Sequence, residues 1–279
     1  SVHLVDVINQ TDLVDNADTE DKLGQPMVQL TLLRDWGTVD LYLMSGFRQR
    51  TFAGGDGRLR PPLRVTHTAR YEADLDRWHP DVAGRWSQVL GDYDVGVAHF
   101  YGTSREPRLV LDVVDSGARL VPHYDLLQQT SLDVQFTRND WLVKLEAIHR
   151  DGVDGRSSAV VSGVEYSLFA IFSTAIDLGL VAEVQYDSRD TPFARLSDND
   201  IALGGRFTLN DVQDTAVLAF TAFDMDNGSR FTSVEADRRW QSAGKLRLEA
   251  RFFSNVETGD PLYLLRRDDH LQLEYVHFF

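Results

Sequence analysis

The stretch that decides the fold is Trp141-Leu142-Val143-Lys144-Leu145-Glu146-Ala147-Ile148-His149-Arg150. In an extended chain, Trp141, Val143 and Leu145 lie on one face, because successive side chains point to opposite sides. The charged side chains of the stretch lie on the other face. This alternation is typical of a β-strand with one apolar and one polar face. Residues 131–136 alternate in the same way, and the polar link at 138–140 predicts that the two runs form a hairpin.

The same alternation recurs along the chain in unusually long runs, such as 176–187, 199–210 and 245–254. These runs are roughly 9–13 residues long, which is the length that a tilted strand needs to cross a bilayer. Strands of soluble proteins average about 5–6 residues. Length therefore favours membrane strands over the alternative, two stacked soluble sheets that bury the same apolar face. The predicted strands lie near 27–34, 38–45, 83–89, 93–102, 120–136, 141–150, 157–169, 176–188, 199–210, 214–224, 229–238, 245–254 and 268–279.

The connections between the predicted strands fall into two alternating classes. The short class comprises 35–37, 90–92, 137–140, 170–175, 211–213 and 239–244. The other class comprises the longer connections 46–82, 103–119, 189–198 and 255–267, together with briefer ones at 151–156 and 225–228. Short turns at one end and longer loops at the other are typical of transmembrane β-barrels.

Composition excludes several classes of protein. The chain holds 43 acidic and 28 basic side chains, a net charge of −15 and no cysteine. The missing cysteines exclude disulfides and thiolate sites, and the negative charge argues against nucleic-acid binding. No apolar run reaches the roughly 18 residues of a transmembrane helix. The histidines show neither metal-ligand spacing nor a serine or aspartate arrangement of a hydrolase, so the sequence predicts no enzyme, no metal site and no cofactor.

The C-terminus carries a resemblance to a known class. The chain ends in Leu271-Gln272-Leu273-Glu274-Tyr275-Val276-His277-Phe278-Phe279. This alternation, closed by Phe279, resembles the terminal strand of Gram-negative outer-membrane β-barrels, although His277 stands where that class usually has an apolar residue. The resemblance implies an outer-membrane location and contact with lipid and lipopolysaccharide. It also implies recognition by the barrel assembly machinery through Phe279.

The sequence therefore predicts one all-β domain over residues 1–279, an antiparallel transmembrane β-barrel of about 14 strands. The alternation itself gives about 13 strands, whereas closed bacterial barrels generally have an even number. Two explanations stay open. Either residues 2–8 form a further strand, or N-terminal strands are missing from this chain and the barrel is larger.

The connection 46–82 is rich in arginine. Its residues 46–70 carry Arg48, Arg50, Arg58, Arg60, Arg64 and Arg70, and a single acid, Asp56. Folded into the lumen, this loop would form a constriction that presents guanidinium groups to anionic solutes. Alternatively, it lies outside and binds lipopolysaccharide phosphates, or it pairs with acidic neighbours.

Charges on the polar faces of the strands are the second set of candidate solute contacts. Opposed ladders would orient solutes across a pore, although pairing between neighbouring strands explains them and is favoured. The predicted pore and solute-binding residues are Arg48, Arg50, Arg58, Arg60, Arg64, Lys144, Glu146, Arg247, Glu249 and Arg251. The segment 224–229 resembles a calcium loop only superficially and is interpreted as a hairpin turn at Asn227-Gly228.

Tryptophans cluster near the short turns of the predicted strands. Trp36, Trp86, Trp141 and Trp240 all lie at that end, where indoles would form an interfacial girdle; core packing is the alternative. The predicted function is a porin-like outer-membrane channel for passive diffusion of small solutes, with anions as one candidate class. The alternative is a plugged barrel with a structural or partner-binding role.

Overall fold

A computed structural model describes residues 4–11, 22–54, 57, 61–115, 117–189, 199–258 and 260–279. These residues form 18 β-strands and three short 3-10 turns, with no α-helix among them. None of the helical segments in the described ranges is long and apolar enough to cross a membrane.

The strands are numbered here in chain order. They are β1 (Gln10–Thr11), β2 (Lys22–Leu23), β3 (Met27–Arg34), β4 (Gly37–Met44), β5 (Arg70–Tyr71), β6 (Asp81–Leu90), β7 (Tyr93–Thr103), β8 (Arg108–Val114), β9 (Gly117–Tyr124), β10 (Leu126–Arg138), β11 (Trp141–Gly152), β12 (Gly155–Leu168), β13 (Asp177–Asp187), β14 (Asn199–Thr208), β15 (Ala216–Asp224), β16 (Arg230–Trp240), β17 (Gly244–Ser254) and β18 (His270–His277). The 3-10 turns are Asp76–Trp78, Ile171–Ser173 and Pro261–Leu265.

Thirteen of the strands form one antiparallel sheet, in the order β18-β17-β16-β15-β14-β13-β12-β11-β10-β7-β6-β4-β3. The prediction of an all-β fold built on a large antiparallel sheet is thereby confirmed. The sheet is not closed, because β3 and β18, at its two ends, are not paired with each other in the described part of the chain. Apart from a few residues at their ends, most predicted strands match the observed ones.

The two classes of connection are also present. Adjacent strands at one end join through tight turns such as Asp35-Trp36, Gly91-Asp92 and Asn139-Asp140. At the other end, most connections are longer, as between β4 and β6 or between β17 and β18, and the turn between β11 and β12 is short. Loop length thus alternates along the sheet.

The region 104–125 differs from the prediction. It was expected to be a loop at 103–119 followed by one long strand at 120–136, but it contains the hairpin β8–β9. With β5, which runs parallel to β9, this hairpin forms a separate three-stranded sheet. Strand structure is interrupted between β9 and β10 at Asp125, whose buried carboxylate accepts hydrogen bonds from Arg108 at 2.6 and 2.8 Å. Because of this interruption, β9 does not continue into the large sheet.

Of the two explanations for the odd strand count, a further strand at residues 2–8 is not observed in the described part of that stretch, 4–8. Its backbone binds side chains instead of a neighbouring strand. The amide N–H groups of Leu4 and Val5 both donate to the carboxylate of Glu146, at 2.7 and 3.3 Å.

The chain separates into two compact units. The N-terminal unit comprises His3–Val134 and Glu146–Ala159, and the C-terminal unit comprises Gln135–Leu145 and Val160–Phe279 together with the first two residues. In each unit the strands of the large sheet have an apolar face and a polar face, as their alternation requires.

In the N-terminal unit the apolar face is the exposed one. Val28 is 70% exposed, and its face also carries exposed Leu30, Leu43 and Val97. On the polar face, by contrast, Gln129 is 1% exposed. The distribution is the reverse of that in a water-soluble sheet, in which the apolar side is covered.

The C-terminal unit shows the same reversal. Leu273 is 71% exposed, and Leu180 and Leu203 lie exposed on the same kind of face. The buried polar side chains of this unit include Ser233, at 2% exposed, and Glu183, both on the polar face. On several strands of this unit, apolar side chains are thus exposed while polar side chains are buried.

Three of the four tryptophans predicted to form a girdle are about half exposed beside tight turns: Trp36, Trp141 and Trp240. Trp86 lies further along β6 and donates from its indole N–H to the carbonyl of Trp36, at 3.1 Å. Core packing thus does not account for the first three, and an interfacial role stays a prediction.

Candidate functional site

The polar face of the C-terminal unit carries a ladder of charged side chains on β16, β17 and β18. Asp237 lies opposite Arg247, which in turn lies opposite Glu274. The Arg247 guanidinium approaches these carboxylates at 3.4 and 3.6 Å, and Lys245 approaches Asp237 at 2.8 Å. Pairing between neighbouring strands, the favoured interpretation of these charges, is present in the structure.

A second set of contacts lies further along the same face. The Arg251 guanidinium forms an ion pair with Glu249 at 2.8 Å, and the Glu249 carboxylate lies 3.2 Å from the Nε2 atom of His270. Arg251 is buried, whereas Arg247 is more than half exposed. Arg247 is therefore the predicted arginine of this ladder that a dissolved anion can reach most readily.

Three phenylalanines share the polar face with these charges. The rings of Phe220 and Phe231 are 5.8 Å apart, and those of Phe231 and Phe253 are 5.1 Å apart. Gly204 makes room for them, because a Cβ atom there would lie 2.6 Å from the Cβ of Phe220. The polar face consequently offers an apolar strip beside its charged ladder.

On the N-terminal unit the polar face is braced by a bidentate ion pair. Arg85 of β6 donates to both carboxylate oxygens of Asp133 on β10, at 2.5 and 2.7 Å. The pair crosses β7 above Gly96, where a Cβ atom would collide with the Arg85 guanidinium and the Asp133 carboxylate. Glycine at 96 is thus a condition for this contact.

A buried ionic network lies where β6 and β7 meet the long connections. Arg105 donates to the carboxylate of Asp81 at 2.6 Å, and both side chains are nearly inaccessible to solvent. Asp81 also accepts from the backbone N–H of Thr103 at 2.9 Å, and it lies 2.9 Å from the Nδ1 atom of His79. Burial lowers the pKa of the Arg105 guanidinium, and the Asp81 carboxylate opposes that shift.

Arg105 also binds the N-terminal segment, residues 4–10. Its Nε atom donates to the carbonyl of Ile8 at 2.8 Å. The guanidinium lies over the rings of Phe47 and Phe100, 5.2 and 5.1 Å from their centroids. One side chain thus joins the segment to the β6–β7 hairpin and the connection after β4.

Only some of the arginines predicted in the connection 46–82 lie close to one another. Arg48 and Arg64 are exposed, whereas Arg50 is half-buried and donates to the side chain of Gln10 at 3.3 Å. Arg50 and Arg64 line a cleft of about 600 Å³ with residues 51–54 and 61–67, and Arg48 is not in its lining. Arg58 and Arg60 lie outside the described residues.

Lys144 and Glu146 occupy different environments. Lys144 is exposed in the C-terminal unit, whereas Glu146 belongs to the N-terminal unit and receives the backbone N–H groups of Leu4 and Val5. Glu146 is therefore engaged by the chain itself, and a role for it as a solute contact stays a prediction.

Tyr124 packs against residues of the long connection between β4 and β6 in the N-terminal unit. Its ring stacks at 5.5 Å on Tyr71 and meets Phe47 at 4.8 Å, and its hydroxyl accepts from the backbone N–H of Arg50 at 2.8 Å. Burial raises the pKa of the Tyr124 phenol to about 12, which the Arg50 N–H partly opposes. Tyr71 has a raised pKa for the same main reason.

We expect Tyr124 to make the fold sensitive to strong alkali. A phenol whose pKa is raised by folding contributes stability that is fully present below its unfolded value of 10 and is lost as the pH rises through about 12. A shift of this size corresponds to about 2–3 kcal/mol. Tyr124→Phe should weaken the protein at neutral pH by about 1 kcal/mol through the lost hydrogen bond.

The measurement for this prediction is the free energy of unfolding against pH, with tyrosinate absorbance followed in parallel. The Phe variant should lose the most alkaline tyrosinate transition and part of the stability decline between pH 10 and 12. A tyrosinate titration that is identical in the two proteins would contradict this account of Tyr124.

The hairpin loop at 225–229 closes on its own side chains, as expected for a turn rather than a calcium loop. The Asp224 carboxylate accepts from the backbone N–H groups of Asp226 and Asn227, at 2.7 and 3.1 Å. Asn227 in turn accepts from the backbone N–H of Ser229 at 2.8 Å, and Gly228 has a φ of +77°. These bonds consume the oxygens that a cation would need.

Two histidines contact hydroxyl groups in a way that their spacing in the sequence does not show. The Nδ1 atom of His149 lies 2.9 Å from the Ser158 hydroxyl, and that of His99 lies 2.9 Å from the Thr130 hydroxyl. Catalysis by such a pair also requires a group that orients the imidazole and a cradle for the oxyanion. Within the described ranges, no cluster of three or more histidine, aspartate or glutamate side chains could hold a metal ion.

Sequence reasoning missed Gln129 and Arg105, two residues that hold the N-terminal segment. Both are buried in the N-terminal unit, and neither belongs to a recognisable motif. Gln129 itself was a usable signal, because it is a long polar side chain on a strand face that the alternation marks as polar.

Comparisons with family models, with curated proteins and with solved structures find no match to this chain. The function is therefore argued from the geometry of its faces.

Proposed function

We propose that this chain forms a β-barrel channel in the outer membrane of a Gram-negative bacterium, through which small solutes, anions among them, diffuse passively. The observation that carries the proposal is the reversed distribution of side chains on the large sheet. Apolar side chains such as Leu273 and Val28 are exposed, whereas polar ones such as Gln129 and Ser233 are buried.

Exposure of the apolar face to water has a free-energy cost. Each Å² of apolar surface left in water costs about 25 cal/mol, and contiguous apolar surfaces beyond a few hundred Å² mark sites of interaction. A hydrocarbon environment removes that cost along the whole sheet. In a bilayer, moreover, backbone groups at a sheet edge cannot remain unpaired, which favours closure into a barrel.

The width of the sheet supports a water-filled interior. About eight strands already suffice to enclose an interior filled by side chains, and the large sheet has 13. The polar face would then line the passage, with the Arg247 ladder and the phenylalanine strip as its solute-contacting surfaces. The exposed Arg48 and Arg64 would meet anions in the long connection between β4 and β6.

The proposal is tested by reconstituting the full chain into planar bilayers and recording single-channel currents. Ohmic steps that scale with salt concentration are expected, together with heat-modifiable mobility of the detergent-extracted protein on gels. A protein that folds in detergent but never produces current steps would argue against a channel.

Charge neutralisation on the ladder provides a matched pair of variants. Arg247→Gln removes a positive charge that faces Asp237 and Glu274 and should shift permeability toward cations, whereas Glu274→Gln should shift it toward anions. A unit charge about 10 Å from a passing ion acts in water with about 0.4 kcal/mol, so about a twofold change in the permeability ratio is expected in each direction. Reversal potentials under a salt gradient give this ratio, and equal values in both variants would exclude the ladder from the passage.

A plugged barrel with a structural or partner-binding role is the second candidate. It is favoured by one observation, the N-terminal segment bound to the polar face of the N-terminal unit through Glu146 and Arg105. A silent wild-type protein with the correct topology would support this candidate.

A further inference from the structure

The N-terminal segment, residues 4–10, is bound by side chains of the polar face mainly through its backbone. Glu146 accepts the N–H groups of Leu4 and Val5, and the Gln129 amide donates to the Leu4 carbonyl at 3.5 Å. Four residues further on, Arg105 donates to the Ile8 carbonyl. Contacts to main-chain atoms can hold a peptide with little dependence on the identity of its side chains.

One side chain supplies an apolar anchor. Val7 is buried in a cluster with Met44 and Phe100, which are 1% and 2% exposed. Ile8 of the segment packs against the same cluster, as do Tyr42, Ala83 and Leu127 of the strands. The strand residues of this cluster lie on the otherwise polar face, so they form an apolar socket that receives Val7, with Ile8 partly buried beside it.

The C-terminal end of the segment is fixed by an amide. Gln10 is 1% exposed, and its side-chain oxygen accepts from Arg50. The residues that form the site are themselves fixed by further bonds, since Arg150 donates to the Gln129 oxygen at 2.6 Å and to Glu106 at 3.2 Å. Some side chains that form the site, such as Gln129, are thus held in place by contacts that do not involve the segment.

We propose that the polar face of the N-terminal unit is a binding site for a short peptide, that residues 4–10 are its occupant, and that their departure opens the passage. The second half of this proposal rests on the proposed channel function. The chemistry of the ligand is defined by the contacts: free backbone N–H groups at its start, a β-branched apolar residue in its middle and a carboxamide at its end.

The contacts favour reversible occupancy. The described part of the segment before Gln10 makes no strand ladder with the large sheet, and Asp6 is exposed between the anchors. Segments held by a few side-chain contacts open at lower free energy than strands paired along their length. The segment can therefore leave while the sheet stays intact.

The test compares Val7→Asp with the conservative Val7→Leu in single-channel recordings of the full chain. The carboxylate cannot enter the Met44–Phe100 socket without losing its hydration, so Val7→Asp should raise the unitary conductance to a larger and steadier step. Val7→Leu keeps an apolar anchor and should match the wild type. A synthetic peptide with the sequence of residues 4–10 should close the Val7→Asp channel, whereas a scrambled peptide should not.

A second variant keeps the proposal testable if Val7→Asp does not insert. The chain has no cysteine, so Val7→Cys combined with Met44→Cys introduces the only pair that can form a disulfide. Oxidation should lock the segment and hold the channel in its small-conductance state, and reduction should release it. Each single-cysteine variant serves as the control.

The outcomes separate the two proposals. Unchanged conductance in Val7→Asp, in a wild type that conducts, overturns the gating segment and leaves the channel standing. Silence of every variant overturns the channel and the gating with it. In that case, cross-linking of the cysteine pair still supports the peptide site, and failure to cross-link overturns it.

Discussion

Replacing Leu273 with arginine is expected to prevent stable insertion into lipid bilayers, whereas Gln272→Arg is expected to be tolerated. The two residues are neighbours on β18, and their side chains lie on opposite faces. Leu273 is paired with Leu248 on the exposed apolar face, and Gln272 is paired with Glu249 on the polar face. An arginine on the lipid side of a barrel costs about 2–4 kcal/mol near the bilayer midplane, whereas on the polar face it meets water and a carboxylate.

The measurement is the fraction of protein folded in vesicles as a function of urea, read from the heat-modifiable gel band. The matched pair removes any general effect of a new arginine on strand pairing. The contrary result is also informative. If Leu273→Arg folds as well as Gln272→Arg and is more soluble without lipid, the side chain at position 273 faces water and not hydrocarbon, and the membrane proposal fails.

Asp81→Ala is expected to destabilise the N-terminal unit by about 3–5 kcal/mol, because it leaves a buried guanidinium without its counter-charge. Arg105 then has little access to water that could solvate its charge, since its side chain is 5% exposed and lies between two aromatic rings. The carboxylate also accepts the Thr103 N–H, which Ala leaves unpaired. Urea titration of the detergent-solubilised protein measures the loss, and proteolysis localises it to the N-terminal unit.

The control is the double variant Asp81→Leu with Arg105→Met, which removes both charges at once. It should recover much of the stability lost in Asp81→Ala, because two apolar side chains of similar volume do not require counter-charges. Part of the loss should persist through the Thr103 N–H and the Ile8 carbonyl, which lose their partners. Additive losses from the two single changes would mean that the ion pair is not coupled.

Most of the large sheet could be predicted from the sequence because its strands are long and strictly alternating. The predicted strand at 27–34 matches β3 at both ends, and those at 141–150 and 245–254 match β11 and β17 within two residues. A side-chain period of two restricts the pairing register of the strands, since a shift of one residue moves every side chain to the wrong face. The tight turns follow from the same pattern, as the polar link at 138–140 shows.

The hairpin β8–β9 was missed for a physical reason. Five of the seven residues at 108–114 are apolar and do not alternate with polar ones, so the run lacks the alternation by which the other strands were found. A short, mostly apolar run is as compatible with a loop packed on a surface as with a strand. The break at Asp125 depends on Arg108 and His123, and which partners a lone aspartate will find is decided by the tertiary structure.

The N-terminal site lay beyond the reach of sequence patterns. Leu4 meets Glu146 across 142 positions of chain, and Arg105 meets Ile8 across 97. Contacts of this separation leave no local signature in a single sequence. The charged residues of β17 were easier to identify, because their partners lie on adjacent strands in register.

The neighbourhood of β7 and β10 also bears on how such a chain can change over generations. These strands lie side by side in the large sheet although 104–125 intervene, and the intervening hairpin belongs to its own small sheet. Insertions or deletions in the outer part of this hairpin, between Leu109 and Arg119, leave Arg105, Tyr124 and the Arg85–Asp133 contact over Gly96 in place. We therefore expect homologous chains to vary most in that outer part, and a foreign epitope can be displayed there while the strands of the large sheet keep their register.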